Sequence, residues 1–258
     1  PPPAPEFPQA PEPAAFFDVD NTLIQGSSLI LLAQGLFKKR FITLSELAPA
    51  LRKQIRYRVS GSENADDIAE GREQALAIVK GKSVEELKQA CREIVDNRML
   101  QKSYADTIEL ASMHLAAGQQ VWLVSATPVQ IGQALAETLG FTGALGTVAE
   151  EEDGKFTGRL VGDILHGPGK KHAVAALAAL QQLDLSKCTA YSDSVNDLPM
   201  LNMVGSPVAV NPDRALRKHA KAQGWAVRDY RSMRRVVRAG VVPAVLAAAG
   251  LWWWRRRR

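Results

Sequence analysis

A chain of 258 residues, 46% hydrophobic and 23% charged, has room for one large domain or two small ones and is neither wholly disordered nor a multi-span membrane protein. Its two cysteines, Cys91 and Cys188, exclude a disulfide framework, no Cys/His spacing suits a zinc finger, and a reducing, cytoplasmic setting is the default. The net charge of +5 comes from one end: residues 231–258 carry eight arginines and no acid, while the rest holds 24 basic against 27 acidic residues, so no nucleic-acid partner is expected.

Residues 1–13 are proline-rich and read as an extended, disordered leader without a signal-peptide pattern. The apolar run 14–19 predicts a buried parallel strand. From 27 to 105 the pattern is helical, with Leu29, Leu32, Leu36 and Phe37 at helical spacing and capping boxes at Thr43/Glu46 and Ser83/Glu86. About four helices and no strand are expected there, which makes 27–105 an all-helical cap. A helix over 103–117 ends at Gly118. Beyond it come a strand at 121–125, a helix at 129–139 and a hairpin over 145–162 turning at Asp153-Gly154. A helix at 170–183 follows, then strands at 188–191, 208–210 and 225–227 with helices at 197–203 and 213–222. This alternation predicts an α/β fold, a doubly wound parallel sheet, with 14–26 and 106–230 as its core and the cap inserted after the first strand. The tail, 231–258, contains an apolar run of 16 residues at 239–254 between arginines. As a helix it would measure about 24 Å, short of the ~30 Å hydrocarbon core. Trp252 to Trp254 beside Arg255 to Arg258 suggest a short C-terminal membrane anchor, with an anionic membrane surface as its partner; a helix lying in the membrane surface and packing on the core are the second and third readings.

Ligands of open α/β sheets collect at the carboxyl ends of the strands. Those ends here read Asp18-Val19-Asp20-Asn21-Thr22, Ser125-Ala126-Thr127 and Ser192-Asp193-Ser194-Val195-Asn196-Asp197, with Lys170 and Lys171 opening the preceding helix. Four acids at one edge repel one another unless a cation sits among them. Oxygen donors without His or Cys favour Mg²⁺, which works with phosphate substrates. Ser125, neighbouring backbone N–H groups and a lysine suit phosphate oxygens. Of Asp18 and Asp20, one would attack while the other handles a proton. The four histidines are scattered and read as surface or structural residues.

These four stretches, in this order, resemble the motifs of the haloacid-dehalogenase-like phosphohydrolases, and the helical insert after the first motif is similar to the phosphoserine-phosphatase-like branch. The resemblance implies a Rossmann-like core and Mg²⁺-dependent hydrolysis of a small phosphorylated metabolite through an aspartyl-phosphate. Asp18 would be the nucleophile and Asp20 the acid and base, with its backbone C=O on the metal. Thr22 would support the motif loop, and Ser125 and the Ala126 N–H would hold phosphate. Lys170, better spaced than Lys171, would neutralise charge; Asp193 would ligate Mg²⁺, Asp197 would orient a metal-bound water, and Asn196 would help fix the site. Metal contacts are thus expected at Asp18, Asp20, Asp193 and Asp197, and substrate contacts at Thr22, Ser125, Ala126 and Asn196. Phosphoserine phosphatases carry a glutamate nine residues after the nucleophile to read the substrate amine. Ser27 stands at that position, so phosphoserine is not the expected substrate. Arg52, Arg56, Arg58 and Arg72 of the cap are candidates to face an anion. Phosphoryl transfer to an acceptor other than water, and a non-catalytic regulatory role, are alternatives on the same residues.

Overall fold

Strand β1 (Ala14–Asp18) is buried along its whole length, and its alternate side chains enter two separate cores. Ala15 and Phe17 join one with Leu36, Ile94, Leu123 and Leu135; Ala14 and Phe16 join the other with Val174, Leu177, Leu201 and Leu216. A strand covered by helices on both faces behaves this way. The computed structural model describes residues 13–43, 46 and 75–231. Residues 1–12, Arg52, Arg56, Arg58 and Arg72, and residues 232–258 with the apolar run 239–254 lie outside the described residues. Among the described residues no helix is long and apolar enough to cross a membrane.

The remaining strands are β2 (Gln120–Pro128), β3 (Gly143–Thr147), β4 (Ala149–Glu152), β5 (Lys155–Leu160), β6 (Thr189–Ser192), β7 (Ser206–Val210) and β8 (Ala226–Arg228). Six form one sheet in the order β3-β2-β1-β6-β7-β8, every pairing parallel. Helices α1 (Ser28–Lys38), α2 (Val84–Ile94), α3 (Ala105–Ala116), α4 (Val129–Leu139), α5 (Pro168–Leu180), α6 (Leu198–Leu201) and α7 (Arg214–Ala222) accompany it. The fold is the expected α/β Rossmann-like one.

The predicted hairpin over 145–162 starts too early. Residues 145–147 belong to β3, the parallel edge strand beside β2, and the antiparallel pair is β4 with β5 alone. Two glycines hide the strand in the sequence, and both are there for close approach. A Cβ on Gly143 would meet the Trp122 ring at 2.6 Å, and one on Gly146 would meet the Val129 backbone at 2.6 Å. The turn itself is as read: Asp153 and Gly154 both have positive φ (50° and 74°), the backbone of a tight hairpin turn.

Helices α1 and α2 pack on the first core. On α2, Leu87, Ala90, Cys91 and Ile94 recur at helical spacing and are buried. Ile94 lies so close to α1 that a Cβ on Gly35 would fall 2.4 Å from its side chain. The Thr43/Glu46 capping box forms in full, with the Thr43 N–H donating to the Glu46 carboxylate and the Glu46 N–H to the Thr43 hydroxyl, whereas Ser83/Glu86 shows only its first half, the Glu86 N–H donating to the Ser83 hydroxyl.

Gly205, which leads into β7, donates its N–H to the Leu185 carbonyl, and a Cβ on it would lie 1.7 Å from the Ser186 carbonyl oxygen. Backbone cannot give way as a side chain can, so Gly205→Ala should destabilise the protein by about 3 kcal/mol. A urea titration measures it; an unchanged midpoint would contradict the packing described.

Candidate active site

The chain leaves β1 for β2 and β3 on one side of the sheet and reaches β6, β7 and β8 on the other. Helices on either side of such a switch point diverge, leaving a crevice outside the strand ends. Register puts Asp18 opposite Val124, and Phe17 opposite Tyr191, so Asp18, Ser125 and Ser192 emerge together. One residue below, the Phe17 and Tyr191 rings stack with centroids 4.2 Å apart, and the Tyr191 hydroxyl bonds His114 Nε2 on α3 at 2.7 Å.

Lys170 and Lys171 separate cleanly. Lys170 shares the inner face of α5 with Val174, Leu177 and Ala178, whereas Lys171 is exposed. The buried Lys170 Nζ donates to Asp18 Oδ1 at 2.5 Å and to Asp197 Oδ2 at 2.7 Å. The Ser192 hydroxyl donates to the same Asp197 oxygen at 2.7 Å. Thr22, expected to touch substrate, is fully buried and donates its hydroxyl to Asp18 Oδ2 at 3.0 Å. It therefore orients Asp18 rather than meeting a ligand. Asp20 Oδ1 accepts the Ser28 N–H at 2.9 Å and the Ser28 hydroxyl, while Oδ2 has no partner among the described residues.

The Ser125 hydroxyl is bonded to the Thr127 hydroxyl at 2.8 Å and the Thr127 N–H at 3.2 Å. Ala126 is exposed at the crevice, its carbonyl held by the Thr147 hydroxyl at 2.7 Å. Asn196 is the outlying residue of the expected set: it is exposed, and its N–H bonds the Ser194 hydroxyl at 3.2 Å. Ser27 is the N-cap residue of α1 and forms no side-chain capping bond. The sequence reading missed Ser28, Ser192, Asn21 and Asn211. Ser28 and Ser192 immediately flank acidic or helix-start positions and are ordinary cap residues by type, so no signal set them apart.

Three buried or half-buried carboxylates, Asp18, Asp193 and Asp197, share one ammonium. Burial pushes Asp18 up to about 7, with Lys170 pulling down and Asp197 and Asp20 adding to the rise. Burial, with Asp18 and Asp197 nearby, pushes Asp193 up to about 8 against the pull of Lys170 and the Asn21 side chain. Burial works against the charge on Lys170, but Asp18 and Asp197 outweigh it and raise its pKa. The cluster is short of positive charge, and its donors are all oxygen, which fits a hard divalent cation. Among the described residues no three acidic, His or Cys side chains already form a metal cage. Magnesium does not require one, since it keeps several waters and takes one or two carboxylates.

A pH dependence follows for the protein without metal. Both carboxyls titrate higher folded than unfolded, where Asp sits near ~3.9. Their contribution is thus most favourable below that range and is lost as pH rises through about 7 and about 8. In EDTA the melting temperature should fall by several degrees between pH 6 and pH 8.5, and Mg²⁺ should reverse the fall. A melting temperature that rose over this interval would contradict the charge balance described.

Residues 15–202 match the family model of haloacid dehalogenase-like hydrolase. The chain belongs to the haloacid dehalogenase-like hydrolases. It is 52% identical over 238 residues to a phosphoserine phosphatase of Mycobacterium tuberculosis (strain ATCC 25618 / H37Rv), covering 92% of this chain and 77% of that protein. It is 33% identical over 221 residues to a histidinol-phosphatase of Neisseria meningitidis serogroup C, covering 84% of this chain and 98% of that one. Among solved structures, a protein of unknown function from Bordetella pertussis Tohama I matches with a TM-score of 0.74 at 29% identity, over 85% of this chain and 99% of that one. As a haloacid dehalogenase-like hydrolase, the chain is an enzyme, and both of these curated relatives are named phosphatases.

Proposed function

We propose that this hydrolase cleaves a small phosphomonoester in two steps, through a phosphoryl group carried on Asp18. The observation that carries the reading is the Lys170 ammonium bridging Asp18 and Asp197 inside the crevice. An ammonium there neutralises charge on an attacking carboxylate and on the phosphoryl oxygens without moving during the reaction. Thr22 and Lys170 grip both Asp18 oxygens, so the carboxylate is oriented before substrate arrives. Asp20 stands two residues on, with one oxygen tied to Ser28 and the other open, suited to give a proton to the leaving oxygen and later take one from water. The Ser125 hydroxyl and the Ala126 N–H lie on β2 just past Val124, the residue opposite Asp18, where its pairing with β3 breaks register and phosphate oxygens would sit.

The Asp18 and Asp193 carboxylates and the Asp20 carbonyl would hold Mg²⁺, which supplies positive charge for the phosphoryl oxygens. Asp197, fixed by Lys170 and Ser192, would keep that side of the site in place. Asn196 is placed at the rim, and a direct substrate contact there rests on the family pattern alone.

The substrate class is a phosphorylated metabolite. The names of the two relatives point to phosphoserine and histidinol phosphate, both ammonium-bearing phosphomonoesters. Ser27 offers no negative charge at the start of α1, which argues against a substrate amine read from that position. A turnover screen with phosphoserine, histidinol phosphate, lysophosphatidate and an aryl phosphate separates these. The membrane-surface role of 239–254 is proposed on sequence alone, and with it a cytoplasmic location. Since Arg231 donates to the Pro212 carbonyl at 2.8 Å, a truncation testing that role should remove 232–258.

EDTA should abolish aryl-phosphate turnover, and Mg²⁺ in excess should restore it fully, in a steady-state assay. Undiminished turnover in EDTA would sink the metal-dependent reading.

A further inference from the structure

We infer that Asn211, acting through Asn21, positions Asp193 and thereby sets the strength of Mg²⁺ binding. The inference rests on the metal-dependent reading above. Asn211 directly follows β7, is fully buried, and adopts left-handed backbone (φ 47°). Its side-chain amide, its side-chain oxygen and its backbone N–H are all bonded. Its side-chain amide donates to the Asn21 carbonyl at 3.0 Å, its Oδ1 accepts the Tyr230 N–H at 2.8 Å, and its own N–H donates to the Arg228 carbonyl at 2.7 Å. Asn21 also has left-handed backbone (φ 55°), between Asp20 and Thr22; its Oδ1 accepts the Gly26 N–H at 3.1 Å, and its side chain sits beside Asp193 and favours that carboxyl's charged form.

Asp213, two residues after Asn211, holds the backbone of Asp193 from the other side. The Asp213 N–H donates to the Asp193 carbonyl at 2.8 Å, and Asp213 Oδ2 accepts the Val195 N–H at 2.9 Å. Asp213 Oδ1 meanwhile caps α7 at Leu216, 2.7 Å away. One loop thus clasps the loop after β1 and the loop after β6, the two that carry the acids. Capping of α7 needs only Asp213. The buried amide of Asn211 does something else: it ties the Asn21 loop, 190 residues away in sequence, to the loop that holds Asp193. Buried polar bonds of this kind fix geometry because leaving them unmade is costly. Side chains that orient a ligand without touching the metal commonly change its affinity by ~10–100-fold. Asn211 is a positioning residue in this sense, as is Asn21.

Asn211→Gly keeps the left-handed backbone and removes both side-chain bonds. Titrating Mg²⁺ into the full-length, substrate-free protein in a calorimeter should show its Kd raised about tenfold. The kcat at saturating Mg²⁺ should stay within about threefold of the parent, because the reacting groups are untouched. Asn21→Ala should weaken Mg²⁺ by a similar factor, and the double variant by no more than either alone. A purely structural Asn211 would lower the melting temperature and leave the Mg²⁺ Kd unchanged, which overturns the inference. If Asn211→Gly fails to fold, the same titration of Asn21→Ala decides it, unchanged affinity again overturning it. A parent protein that takes up no Mg²⁺ would overturn the metal-dependent reading itself, and this inference with it.

Discussion

Asp18→Asn should lower phosphatase turnover by about 10⁴-fold or more while leaving the protein at least as stable at pH 8. An amide oxygen is too poor a nucleophile to take a phosphoryl group, so no phospho-enzyme can form. The stability half of the expectation comes from the charge balance. Asp18, Asp193 and Asp197 surround a single ammonium, and burial with mutual repulsion drives Asp18 up to about 7. Removing one carboxylate relieves that repulsion, and Lys170 keeps Asp197 as its partner at 2.7 Å. The asparagine carbonyl can still accept from Lys170 or from Thr22. Turnover and melting temperature should therefore move apart, which a misfolded variant cannot imitate. Acid quenching of the parent during turnover, followed by mass spectrometry, should find a phosphoryl adduct on the peptide containing Asp18. Full activity in Asp18→Asn would end the covalent mechanism outright.

The legible part of this molecule is the part built from periodicity and strand ends. β1 and α4 are readable because four apolar residues running into Asp18 and a 3.6-residue repeat mark a buried strand and a helix, and α4 is closed by Gly140 at φ 69°. The acids are readable because parallel strands must deliver their carboxyl ends to one edge. The choice of Lys170 over Lys171 was also in the sequence: 170, 174, 177 and 178 fall on one face of α5. What escaped depends on tertiary approach. β3 is masked by glycines whose purpose is contact with Trp122 and Val129. Thr22 was grouped with substrate contacts because spacing cannot tell a hydroxyl facing the crevice from one turned beneath Asp18. Asn211 followed by Pro212 reads as an ordinary turn after a strand, and only the fold shows its amide reaching Asn21.

Lys170→Met should cost both turnover and stability, the opposite pattern to Asp18→Asn. The side chain is 5% exposed, and its ammonium is the only positive group bonded to Asp18 and Asp197 among the described residues. Methionine matches the length of the stem but leaves two buried carboxylates without a counter-charge. Breaking a buried pair from one side typically costs ~3–5 kcal/mol, because the orphaned charge stays behind. Removing the fixed charge from the phosphoryl site should reduce kcat by about 10³-fold. The pH dependence separates these effects. Without the lysine the carboxyls titrate higher still in the folded state, so the stability deficit should shrink as pH falls toward 5 and the carboxyls take up protons. The kcat deficit should persist at every pH, since protons on Asp18 do not replace charge on the phosphoryl oxygens. Lys170→Arg is the matching control: its charge is retained, but the guanidinium is larger than the ammonium seated 2.5 Å from Asp18 Oδ1. It should recover more stability than turnover. Denaturant titrations at pH 5 and pH 8 beside steady-state kinetics test both variants, and a Lys170→Met protein with a pH-independent deficit would show that Lys170 serves packing rather than charge.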